Sequence, residues 1–141
     1  MWILLAVVVA AAPVPPSQSL EDATRCAAHD GKASNQACQR ACDAGYTDAC
    51  YQLATRLTEG DHAKADAPRA IALFKSTCAK KHAHSCRMAG MMLVRGVGAR
   101  ADAKAGLALL DQACKLGDTT ACDLRTEAAQ PAPKAPIDPR E

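Results

Sequence analysis

The chain has 141 residues, 49% hydrophobic and 23% charged, with a formal net charge of +2, which fits one modest globular domain or one short repeat array and leaves no room for a second large domain. Seventeen Lys and Arg are scattered among fifteen Asp and Glu without a basic run, and only four residues are aromatic. There is neither a phosphate-neutralising stripe nor a base-stacking platform, so nucleic acid is excluded as a partner.

The N-terminal run MWILLAVVVAAAPVPP is apolar from Trp2 to Ala12, the length of a signal-peptide core and too short for a spanning helix. Residues 1–16 are therefore read as an export signal cut between Ala10 and Ser19, with an uncleaved anchor as the alternative. Eight cysteines, an even number in a short chain, agree with export to a compartment where disulfides persist. The expected location is secreted or periplasmic, with no membrane attachment once the signal is removed.

Residues 17–46 are expected to form an atypical N-terminal capping hairpin, an irregular helix near 18–29 followed by a second near 34–44, with His29-Asp30-Gly31-Lys32 as the turn. Beyond it the sequence repeats. Residues 47–82 and 83–118 align at an offset of 36 positions, matching Leu57 with Leu93, Gly60 with Gly96, Asp66 with Asp102, Leu73 with Leu109 and Phe74 with Leu110. A period of that length signals stacked helix-turn-helix units.

Cys50, Leu53, Ala54 and Leu57 share one face of a first helix that Gly60 ends. Ala70, Leu73, Phe74, Thr77 and Cys78 share one face of a second, opened by Asp66-Ala67-Pro68 with Asp as N-cap and Pro in the first turn. First-type helices are thus predicted near 47–59, 84–95 and 119–128, and second-type helices near 67–80 and 103–116. Residues 119–129 form a C-terminal capping helix, and the Pro-rich segment 130–141 is expected to be a disordered tail. The fold class is all-α, an α/α superhelical solenoid of tetratricopeptide-like units.

The cysteines follow the same period. Cys42 and Cys50, Cys78 and Cys86, and Cys114 and Cys122 each enclose seven residues. Eight positions along one helix rise about 12 Å, whereas a disulfide needs Cα atoms within about 7 Å, so the chain must turn between the members of each pair. Gly45 and Gly117, each three residues after a cysteine, suit a left-handed helix cap. Cys26 and Cys38 remain and pair by elimination. Cys38 stands at the repeat position of Phe74 and Leu110, so a buried free thiol there is the alternative. The bridges offset a thin core of Ala, Leu and Met.

GMMLVRGVGARADAKAGLALLDQACKLGDTTAC, residues 90–122, resembles the Sel1-like repeat (SLR) family, in particular its disulfide-rich Helicobacter cysteine-rich branch. Gly90, Leu93, Gly96-Val97-Gly98, Asp102, Lys104-Ala105, Ala113-Cys114 and the cysteine spacing carry that resemblance, which covers residues 34–128. The copy at 47–82 has Gly60-Asp61-His62 in place of Gly-x-Gly. The resemblance implies a concave face lined by first-type helices that binds a protein or peptide, as an adaptor or scaffold does. Exposed positions on those helices, Tyr51, Thr55, Arg87, Met91 and Asp123, are the candidate partner-binding residues, and Tyr and Arg are favoured anchors. The molecule is expected to be a monomer.

Some members of that branch carry a β-lactamase or penicillin-binding label, which makes a weak hydrolase the alternative function. The S-x-x-K and K-T-G motifs of serine acylases are missing, and Ser76 with Lys80 is the nearest approach to the first. His82-Ala83-His84-Ser85-Cys86 groups metal-ligand types, but Cys86 belongs to the repeating pairs and no fourth ligand has helpful spacing. His29 and His62 stand alone. No catalytic residue, metal site or cofactor is assigned.

Overall fold

The computed structural model describes residues 15–28, 31–60 and 64–130. The apolar leader through residue 14, the tail from 131, and His29, Asp30, Asp61, His62 and Ala63 of the two turns lie outside them.

Among the described residues the fold is all helical: α1 (Pro16–Ala27), α2 (Lys32–Asp43), α3 (Thr47–Glu59), α4 (Ala67–Ala79), α5 (Ala83–Arg95), α6 (Ala103–Lys115) and α7 (Thr119–Ala129). Each helix packs on the next along the chain, and α1 also touches α3. The first helix is regular, twelve residues long, and starts earlier than the expected irregular helix because Pro16 sits in its first turn, where the fixed φ of proline suits helix entry. The second starts at Lys32, two residues before its expected position, directly after Gly31 at φ 86°.

The two central units are built alike. The Asp66 carboxylate accepts from the Arg69 N–H at 3.1 Å and Asp102 from Ala105 N–H at 2.9 Å, which caps α4 and α6. The loop before each cap is closed by the same backbone bond, from the N–H of Asp66 to the Leu57 carbonyl at 2.8 Å and from Asp102 to Leu93 at 2.9 Å. The missing Gly-x-Gly in the first copy therefore leaves this closure intact.

The turns leaving the second-type helices also repeat. The N–H groups of Tyr46, His82 and Asp118 bond back to the carbonyls of Ala41, Thr77 and Ala113 at 3.0, 3.3 and 3.0 Å, the six-to-one bond of a Schellman end. The residue before each takes positive φ: Gly45 at 97°, Lys81 at 65° and Gly117 at 99°. This reversal brings the cysteine at the end of one helix onto the cysteine in the first turn of the next. Cys42–Cys50, Cys78–Cys86 and Cys114–Cys122 are disulfide-bonded with Cα atoms 4.6, 4.6 and 4.8 Å apart. Cys26–Cys38 ties α1 to α2, again with Cα atoms 4.6 Å apart.

One core gathers Leu53, Leu57, Ile71, Phe74, Met92 and Leu93 with the Cys26–Cys38 bridge, and a second gathers Cys78, Cys86, Leu110, Ala113 and Ala121. Between α5 and α6 the backbones come so close that a Cβ on Gly90 would lie 2.9 Å from the Gly106 carbonyl oxygen. At the far end, α7 carries Arg125, Thr126 and Ala129 where the repeat has Ala89, Gly90 and Leu93. Arg125 reaches back to Asp111 of α6 at 2.5 Å.

Candidate functional site

The region where α3 meets the turn into α5 holds most of the aromatic and imidazole groups of the described chain. The Tyr51 ring lies 5.8 Å from Phe74, 4.9 Å from His82 and 6.3 Å from His84, centroid to centroid, and the two imidazoles are 6.0 Å apart. On its other side Tyr51 joins Tyr46, Asp48, Gln52 and the small residues Ala23 and Ala27 of α1 around a groove of about 450 Å³. Tyr46 is 37% exposed, and the Asp48 carboxylate is nearly free in solvent at 94%.

His82 caps α5. Its Nδ1 accepts the Ser85 N–H at 3.2 Å and lies 2.7 Å from the Ser85 hydroxyl. With Nδ1 accepting, the ring proton sits on Nε2, which faces the Asp48 carboxylate at 3.5 Å. Burial holds the pKa of His82 below its usual value of 6.5, against the pull of Asp48 and with the help of His84. This line of Ser, His and Asp has the order of a hydrolytic triad. Ser85, however, is completely buried, where no substrate carbonyl can reach it, and its hydroxyl serves the helix cap. Ser76 and Lys80 are both exposed on or beside α4.

Asp118 caps α7 as His82 caps α5. Buried at the start of the helix, it accepts from the Ala121 N–H at 3.1 Å, from Arg87 Nε at 2.9 Å and from His84 Nδ1 at 2.8 Å. Burial pushes its pKa up, but the bonds from Arg87, His84 and the Ala121 amide together outweigh that and hold it below 3.8.

The five residues singled out from the sequence fall in different places. Tyr51 walls the groove. Thr55, half-buried, returns its hydroxyl to the Tyr51 carbonyl at 3.1 Å. Arg87, its side chain 22% exposed, is committed to Asp118. Met91 lines a separate hollow of about 230 Å³ with Val94, Leu110 and Leu124, and Asp123 is exposed on α7. The sequence pattern does not mark Tyr46 or Asp48, and marks His82 only among the metal-ligand types of the 82–86 run, because a site made by a turn and two helix starts leaves no periodic signal. Among the described residues no group of three or more His, Cys, Asp or Glu is arranged to hold a metal ion, and no helix is long and apolar enough to cross a membrane.

Alternating helices that repeat the same caps and loop closures, with a bridge at every second-type to first-type turn, define a disulfide-stapled α/α repeat protein. The chain has the Sel1-like repeat fold, and its bridged form is similar to the Helicobacter cysteine-rich proteins. Helicobacter pylori cysteine rich protein B superposes with a TM-score of 0.64 at 18% identity, over 77% of this chain and 92% of that one. A Sel1 repeat protein from Oxalobacter formigenes gives 0.65 at 28% identity, over 67% of this chain and 27% of that one. An SLR-fold protective antigen, c5321, from uropathogenic Escherichia coli gives 0.66 at 17% identity, over 77% and 24%. The chain therefore spans about a quarter of the length of the last two. No protein-family model matches the sequence, and no curated protein sequence does either.

Proposed function

We propose that this chain is an exported interaction module that binds a protein or peptide segment in the groove between α1 and the start of α3. The observation that carries the reading is the groove itself: a cleft of about 450 Å³ walled by Tyr46 and Tyr51 and underlain by bridged helices. Tyrosines supply large contact area at low conformational cost. Cys38 and Cys42, one turn apart on α2, tie that helix to α1 and to α3 and hold the walls in place, so little ordering cost is left for the moment of binding.

In this reading residues 1–16 are the export signal, 17–46 the N-terminal cap, 47–82 and 83–118 the two repeats, 119–129 the C-terminal cap and 130–141 an appended tail. Four bridges suit the oxidising side of a membrane, and the molecule acts as a monomer. The hydrolase alternative draws no support from Ser85, which is sealed inside the α5 cap.

Random heptapeptides displayed on phage and selected on the oxidised protein test the reading. Selected peptides should perturb the amide resonances of residues 46–52 and lose affinity for Tyr46→Ala and Tyr51→Ala variants. Peptides that bind equally to both variants, or perturb only α6 and α7, would overturn it.

A further inference from the structure

Resting on that reading of the groove, we infer that its occupant presents a lysine or arginine side chain, taken up among Tyr46, Tyr51 and the Asp48 carboxylate. The residues lining the groove include no Lys or Arg, and Asp48 is the charged member of the set. In a chain whose formal net charge is +2, this cleft therefore offers a local carboxylate beside two phenol rings. Aromatic rings attract cations through their quadrupole, and a carboxylate at the edge of the same cleft fixes where the charge ends.

Asp48 is available for this role. Its carboxylate is 94% exposed and faces His82 Nε2 at 3.5 Å, on a ring whose charged form burial disfavours. An acidic occupant is the natural rival, since the first turn of a helix carries positive partial charge. Here the first turn of α3 carries its own carboxylate, Asp48, which offsets that partial charge and repels an anion. The apolar stem of a long cation matches the alanines on the α1 side, Ala23 and Ala27, which leaves the charged head for Asp48.

The test is a resonance titration of the full oxidised protein with four blocked tripeptides, Ac-Ala-Lys-Ala-NH2, its Arg and Glu counterparts, and the norleucine form as a neutral match to Lys. The Lys and Arg peptides should shift the amides of residues 46–52, the norleucine and Glu peptides should not, and Asp48→Asn should weaken the cationic peptides about fivefold. Equal binding of the norleucine peptide, or tighter binding of the Glu peptide, would overturn the cation preference while leaving the groove as a binding site. Failure of all four in the groove would overturn it too, and if selected heptapeptides also avoided residues 46–52 the proposed function would fall with it.

Discussion

Arg56 on α3 donates from Nη2 to the carbonyl oxygen of Cys26, thirty positions earlier, at 2.7 Å. Its Nη1 reaches Ser34 Oγ at 2.7 Å and Asn35 Oδ1 at 2.9 Å. The residue is 5% exposed, and a charge that deep persists only when its donors are satisfied. The arrangement gives the last carbonyls of α1, which have no partner within their own helix, a cation at the negative end of the helix dipole. One side chain thereby joins the N-terminal hairpin to the first repeat.

Replacing Arg56 with Met removes these bonds from a buried position, the Cys26 carbonyl keeping the Ser34 hydroxyl at 3.1 Å. We expect a loss of about 2–4 kcal/mol in urea unfolding. Hydrogen exchange in α1 and α2 should accelerate more than in α6, because the lost contacts lie at the hairpin.

Gly90→Ala should destabilise, although alanine ordinarily favours a helix over glycine by about 1 kcal/mol. The new Cβ would lie 2.9 Å from both the Gly106 carbonyl oxygen and Leu110 Cγ, and backbone cannot move aside as a flexible side chain does. The net cost expected is about 1–3 kcal/mol by thermal unfolding, and it should appear as a parting of α5 from α6.

Lys81 occupies the left-handed position that Gly45 and Gly117 occupy in the neighbouring turns. A side chain there costs about 1 kcal/mol in the folded state, partly offset because glycine loses more entropy on folding. Lys81→Gly should therefore raise stability by up to about 0.5 kcal/mol, and Gly45→Ala, where a Cβ would meet nothing within 4 Å, should lower it by about 1 kcal/mol through φ alone. Thermal melts of the two variants check both signs.

The pH dependence of the α5 cap follows from His82. Its pKa is lowered in the fold relative to 6.5, so below that pH the unfolded chain binds the proton more readily than the folded one. The stabilisation is complete above about pH 6.5 and is lost as pH falls through the folded value, where a protonated Nδ1 can no longer accept the Ser85 N–H. His82→Asn keeps a cap acceptor without titrating. Urea unfolding at about pH 7.5 and about pH 5.5, on either side of the ordinary histidine pKa, should show a smaller change in stability for this variant than for the parent.

The repeat helices and three of the bridges were legible in the sequence because they follow the 36-residue period, the Cys26–Cys38 bridge follows only by elimination, and a helical face written in Leu, Ala and Cys announces itself by spacing. The site was less so. Arg56 adjoins the apolar stripe of α3 beside Leu53 and Leu57, and nothing in that pattern marks it. Its burial depends on carbonyls at the end of α1 that no local pattern reveals. Arg87 reads as an exposed anchor for the same reason, since its partner Asp118 lies 31 positions away. His82 stands at the repeat position of Tyr46 and Asp118, so the period marks it as a helix start, but imidazole is an uncommon cap and composition gives no hint of its tautomer.

Each turn from a second-type to a first-type helix is stapled by its own bridge, and a fourth bridge closes the N-terminal hairpin; the rest of the architecture hangs on this. Alkylation of the oxidised protein without reduction, followed by proteolysis and mass mapping, tests it most directly. The expected result is no alkylated thiol and the pairs Cys26–Cys38, Cys42–Cys50, Cys78–Cys86 and Cys114–Cys122. An alkylated cysteine, or a bridge that joins members of different pairs, would contradict it.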